Sequence, residues 1–67
     1  MIDDFDSRII HQLTLDGRMS INELSERINL SQTPVARRVK KLEESKIITG
    51  YTALVDETRL GFSFSVF

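Results

Sequence analysis

The 67-residue sequence contains no cysteine, which excludes a disulfide framework and a thiolate metal site. It has a single histidine, no glycine-rich phosphate loop and no nucleophile paired with a base, so enzymatic chemistry lacks its usual residues. A chain this small also has little room for a closed pocket. No enzyme activity and no cofactor are expected. No apolar run approaches the roughly 20 residues that span a bilayer, so no membrane partner is expected. The start, Met1-Ile2-Asp3-Asp4, is acidic, the reverse of a signal peptide, and the expected location is cytoplasmic. Nor is there an overall excess of positive charge, the formal net charge being −1. The length allows one compact unit at most, which buries only about 60% of the surface its unfolded chain exposes.

What is present is a charge distribution that the net value conceals. Residues 1–30 hold six acidic and three basic residues, residues 31–46 five basic and two acidic, and residues 47–67 two acidic and one basic. The positive charge is concentrated in Ser31-Gln32-Thr33-Pro34-Val35-Ala36-Arg37-Arg38-Val39-Lys40-Lys41-Leu42-Glu43. At about 3.6 residues per turn, Val35, Val39 and Leu42 stack on one side of a helix. Thr33, Arg37, Lys40, Lys41 and Glu44 point the other way, with Pro34 and Arg38 on a flank. A helix anchored by one face and cationic on the other suits the major groove of DNA, although a solvated basic face has the same signature.

The flanking segments favour the first alternative. Asp3, Asp4 and Asp6 precede or open a helical stripe of Phe5, Ile9, Ile10 and Leu13. Asp3 or Asp4 caps its first turn, a better account of clustered aspartates than a metal or acid–base site. His11 falls on the polar side, and Asp16-Gly17 stops the helix, with glycine as the left-handed stop. Ser20-Ile21-Asn22-Glu23 reads as a capping box opening a short helix with Ile21, Leu24 and Ile28 inward. That helix ends at Asn29, Leu30 supplies an apolar plug, and Ser31 caps the basic helix, with Pro34 in its first turn. Two helices joined by so short a turn form a helix-turn-helix, with the basic helix second. Ile47 to Val55 is rich in β-branched and aromatic residues and reads as an extended segment or hairpin. Asp56-Glu57-Thr58 reads as a turn, Arg59-Leu60-Gly61 as a connector, and Phe62 to Phe67 as a strand with one buried face. A chain that stops in mid-strand is expected to be a fragment cut just inside a second domain, the alternative being a tail that packs back on the helices.

With these pieces in place the sequence resembles the N-terminal domain of the leucine-responsive regulatory protein/AsnC (Lrp/AsnC) family of transcription regulators. The residues that carry the resemblance are Asp6, Ile9-Ile10, Leu13 and Asp16-Gly17-Arg18; Glu23-Leu24, Ile28 and Leu30-Ser31; Thr33-Pro34-Val35, Arg37-Arg38-Val39, Leu42-Glu43 and Ile47-Ile48; and Gly50-Tyr51-Thr52-Ala53-Leu54-Val55-Asp56. The resemblance implies a mainly α fold, a three-helix bundle with helix-turn-helix and winged-helix character followed by a short β segment. Residues 1–55 would form the DNA-binding domain with its trailing strand, and 56–67 the linker and first strand of a truncated second domain. In the family that second domain senses amino acids or related small molecules and drives assembly into homodimers or larger homo-oligomers. An amino-acid effector is therefore expected only through the missing domain. The sequence departs from the family at Asn29 and Lys46, where glycine is common; both positions can still adopt a left-handed backbone, at some cost for lysine.

Double-stranded DNA is the expected partner, bound with sequence preference by helix 31–45 in the major groove. Gln32, Thr33 and Arg37, with Pro34 beside them, sit at the outward N-terminal end, where base edges come within reach. An arginine there bonds guanine O6 and N7, worth about 1–3 kcal/mol of discrimination. Arg38, Lys40 and Lys41 are expected to meet phosphates, and Ser20 with the N–H groups that start its helix is a further phosphate contact. The competing class is a winged-helix protein-interaction module without DNA binding. Such a surface is enriched in exposed aromatics and depleted in lysine, the opposite of the face that carries Arg37, Arg38, Lys40 and Lys41 with no aromatic.

Overall fold

The first helix, α1 (Asp4–Leu15), begins at a reciprocal cap. The Asp3 carboxylate accepts the Asp6 N–H at 2.9 Å, and the Asp6 carboxylate accepts the Asp3 N–H at 3.3 Å. Two of the four orphan donors of the first turn are thereby satisfied, by acids that also suit the positive end of the helix dipole. The computed structural model describes residues 2–61, so the strand expected over Phe62–Phe67 lies outside the described residues. At its other end α1 is not stopped by a left-handed glycine: Gly17 is absent from the positive-φ positions, and Asp16 takes an extended conformation. Asp16 makes the turn itself, its side chain accepting the Arg18 N–H at 3.0 Å and its carbonyl the Met19 N–H at 3.2 Å. An aspartate that bonds the backbone two residues on replaces the glycine stop.

The second helix, α2 (Ile21–Ile28), starts at Ser20, whose hydroxyl accepts the Glu23 N–H at 3.0 Å. Only this half of the expected capping box forms there; the complete box belongs to Asp3 and Asp6. Asn29 ends the helix with φ 61° and ψ 49°, and the Leu30 N–H reaches back to the Ser25 carbonyl at 3.0 Å. That left-handed stop permits a two-residue turn before Ser31, the N-cap of α3 (Gln32–Glu44). The Ser31 hydroxyl makes no cap bond, although its carbonyl accepts the Val35 N–H at 3.3 Å. Pro34 falls in the first turn, where no carbonyl of the helix awaits an N–H, and at this third position it offers the Ser31 hydroxyl no N–H to cap. Beyond α3 the backbone turns left-handed again at Lys46, φ 67°.

The three helices pack pairwise around Ile9 from α1, Met19 from the first turn, Leu24 and Ile28 from α2, and Val35 and Leu42 from α3. Ile9, Leu24 and Val35, one from each helix, are fully buried. Burial of each such side chain contributes about 1.5–3 kcal/mol. Phe5, Ile10, Leu13, Ile21, Leu30, Val39 and Ile48 close the periphery. Ile47, the first residue of the stretch read as extended, is half-exposed, and its neighbour Ile48 packs against the core instead. Met19 enters the core from a turn, where no periodic pattern marks it.

Residues 47–56 carry neither helix nor strand, and no strand occurs among the described residues. The β-rich composition of this stretch has no neighbouring strand to bond, and strand propensity expresses itself only on a paired surface. Instead the segment is tied back by Tyr51, whose hydroxyl donates to Glu43 at 2.7 Å. A one-turn helix, α4 (Glu57–Leu60), replaces the expected turn and connector. Asp56 caps it, accepting from the Thr58 N–H and hydroxyl at 3.1 and 2.6 Å.

Candidate nucleic-acid interface

The site is the face of α3 turned away from the bundle. Val35 and Leu42 are buried and Val39 partly so, which fixes the helix by one stripe. Thr33, Arg37, Lys40, Lys41 and Glu44, at helical spacing on the opposite side, are all exposed. None of the cations Arg37, Lys40 and Lys41 forms an ion pair among the described residues, where the pairs involve Arg8, Arg38 and Arg59. Unpaired cations on a rigid helix are what a polyanion meets most directly.

The N-terminal end of this face is held in place. Gln32 donates through Nε2 to Asn22 Oδ1 at 2.8 Å, a bond that crosses the turn and ties α3 to α2. Thr33 follows on the exposed side and Pro34 is half-buried. Pro34, Arg37, Arg38 and Lys41 border a cleft whose other wall includes Asp3 and Asp6 of the α1 start. Ser20 lies outside that cleft, exposed at the first turn of α2, with its hydroxyl already accepting the Glu23 N–H.

Arg38 departs from the sequence expectation of a free phosphate ligand. Its side chain is 29% exposed, and Nη1 stands 2.7 and 2.6 Å from the two oxygens of Asp3 and 3.1 Å from Asp6 Oδ1. The guanidinium carbon also lies 5.3 Å from the centroid of the Phe5 ring, within cation–π range. The guanidinium, and after it the Asp6 N–H, hold the Asp3 carboxyl below the usual carboxylate range. Asp3 and then Asp6 raise the pKa of the guanidinium in turn. The aspartates expected only to cap α1 therefore do two jobs. The pairing joins positions 35 and 32 residues apart, a separation at which the sequence offers no local signal. The same aspartates gather no metal site: no group of three or more His, Asp or Glu side chains converges among the described residues.

This arrangement, a short helix and a left-handed turn leading into a helix with one buried and one cationic face, is matched by known proteins. Residues 2–43 match the AsnC-type helix-turn-helix domain. The chain belongs to the AsnC-type helix-turn-helix family. This AsnC-type domain is of the DNA-binding kind carried by transcription regulators, and its relatives are regulators rather than enzymes. It is 46% identical over 66 residues to the leucine-responsive regulatory protein of Escherichia coli strain K12, covering 98% of this chain and 40% of that protein. The Bacillus subtilis LrpC structure superposes with a TM-score of 0.84 at 43% identity, over 91% of this chain and 44% of that one. A transcriptional regulator from Neisseria meningitidis, solved in complex with L-Met, gives 0.86 at 38% identity, over 90% and 39%. The AsnC-type chain thus spans about two fifths of the length of these relatives.

Proposed function

We propose that this AsnC-type domain is the DNA-reading part of a transcription regulator and lays the exposed face of α3 in the major groove of double-stranded DNA. The observation that carries the proposal is the division of α3 into a buried stripe, Val35 and Leu42, and an exposed set of unpaired cations, Arg37, Lys40 and Lys41. Thr33 and Arg37, with Gln32 fixing the helix start, face base edges. Lys40 and Lys41 meet phosphates, and Ser20 with the first N–H groups of α2 adds a phosphate contact on the neighbouring helix. A protein-docking face would carry exposed aromatics in place of lysines, and the α3 face has no aromatic residue.

Residues 1–55 form the DNA-reading unit in this proposal, and 56–67 lead into a second domain. The complete regulator works in the cytoplasm as a homodimer or larger homo-oligomer that reads two half-sites. Its second domain binds an amino acid, in keeping with the relatives described as leucine-responsive or solved with L-Met. The test is fluorescence anisotropy of a labelled random-sequence duplex titrated with this chain at about 50 and 200 mM salt. With Lys40 and Lys41 at phosphates, log K falls with log salt at a slope of about −1.8, a loss of about 12-fold over that range. Arg37→Ala/Lys41→Ala should abolish saturable binding while circular dichroism stays unchanged. Salt-independent binding, or binding that survives the double substitution, would refute the assignment.

A further inference from the structure

Arg38 neighbours Arg37 in sequence and borders the same cleft as Lys41, so charge alone would make it a phosphate ligand. Its Nη1, however, meets three carboxylate oxygens within 3.1 Å. Two carboxylates against one guanidinium leave the corner with one net negative charge, the neighbouring Asp4 being paired with Arg8 at 3.1 Å. Asp6 is only 14% exposed, so a phosphate that drew Arg38 away would strand a carboxylate with little water around it. The Asp3 carboxylate also caps α1 through the Asp6 N–H, so the same side chain fixes the start of α1 and the flank of α3.

We propose that Asp3 and Asp6 are positioning residues of the DNA-reading helix: they withdraw Arg38 from the phosphates, brace α3 against α1, and leave Arg37, Lys40 and Lys41 as its DNA-facing cations. This inference rests on the DNA-binding assignment above. Non-specific affinity is set by the number of phosphates neutralised, whereas base contacts are unaffected by that number. Taking one cation out of the count lowers indiscriminate binding while the base-reading end of the helix is kept. The negative corner at the start of α1 further steers the duplex to the opposite flank of α3.

The experiment is a salt titration with three variants of this chain. Asparagine matches aspartate in shape and is as good an N-cap, so D3N/D6N keeps the α1 start while releasing Arg38. Its affinity for random duplex should drop about 40-fold between about 50 and 200 mM salt, against about 12-fold for the unchanged chain, the mark of one additional phosphate contact. The triple variant D3N/D6N/R38Q should return to about 12-fold, and R38Q alone should also leave that figure unchanged. An R38Q variant with a shallower salt dependence would show Arg38 already at a phosphate and overturn the inference. So would a D3N/D6N variant with unaltered dependence, or a triple variant that keeps the steeper one. If circular dichroism showed D3N/D6N unfolded, R38Q, which leaves the α1 cap intact, would decide alone. Failure of the unchanged chain to bind at about 50 mM salt removes the DNA assignment itself and this inference with it, whereas normal binding with unresponsive variants removes only the inference.

Discussion

Two non-glycine residues hold left-handed backbones at helix ends, and they should answer differently to glycine. Asn29, at φ 61°, ends α2; Lys46, at φ 67°, follows α3. In that region a Cβ crowds the following carbonyl, a cost that asparagine reduces because its short amide bonds locally. Lysine has no such relief. A Cβ-bearing residue in place of glycine at positive φ costs more than the roughly 0.4–1 kcal/mol that glycine loses through unfolded-state entropy. Lys46→Gly should therefore return about 1 kcal/mol, less a few tenths for removing a cation from the negative end of the α3 dipole. The net gain is about 0.5–1 kcal/mol, and for a domain of this size the melting temperature should rise by about 3–6 °C. Asn29→Gly should change stability by no more than a few tenths. Urea and thermal denaturation of the two variants, followed by circular dichroism, provide the comparison. A Lys46→Gly variant no more stable than the parent, or an Asn29→Gly variant that gains as much, would refute the account of both helix ends.

The two serines at helix starts form a second pair. Ser20→Ala removes the acceptor of the Glu23 N–H and should cost about 1 kcal/mol in urea denaturation, whereas Ser31→Ala, whose hydroxyl makes no cap bond, should cost only a few tenths. On DNA, Arg37→Ala should relax preference at one base pair in competition assays with single-position variants of a selected site. Lys41→Ala should weaken all sequences alike and flatten the salt slope by about 0.9; identical behaviour would refute the division of roles. Tyr51, the only tyrosine, has its phenol pushed up to about 12 by burial and then by the Glu43 carboxylate. Because the folded value exceeds the ordinary value of about 10, its contribution to stability is complete below about pH 10 and lost as pH rises toward 12. Tyrosinate absorbance should show this late midpoint while circular dichroism remains native. Glu43→Gln should lower it only part of the way, since burial remains. A native-state midpoint near 10 would contradict the observed contact.

The division between what the sequence discloses and what it hides follows the range of each interaction. The faces of α3 are legible because Val35, Val39 and Leu42 repeat at the helical period, and each side chain's direction follows from its own position. Helix ends are legible in outline for the same reason, since a cap is a contact within three or four residues. Their details depend on competition among neighbours. Asp16 bonds the Arg18 N–H before Gly17 needs to turn left-handed, and Glu23 leaves its half of the capping box unmade while Asp3 and Asp6 complete theirs. Ile47 and Ile48 cannot be told apart by composition, because which one packs depends on the turn that Lys46 imposes just before them.

Arg38 is the residue whose partners pattern alone does not disclose, and the reason is physical. Read along the helix it is one of a run of cations; read in space it stands among three carboxylate oxygens from the far end of the chain. An aspartate has about four acceptor sites, so Asp3 caps its own helix and still grips an arginine from another. Recognising one role does not exhaust the side chain. A basic run in a small bundle therefore overstates the unpaired charge on its surface by however many of its members the bundle's own acids claim, here one of the four on α3.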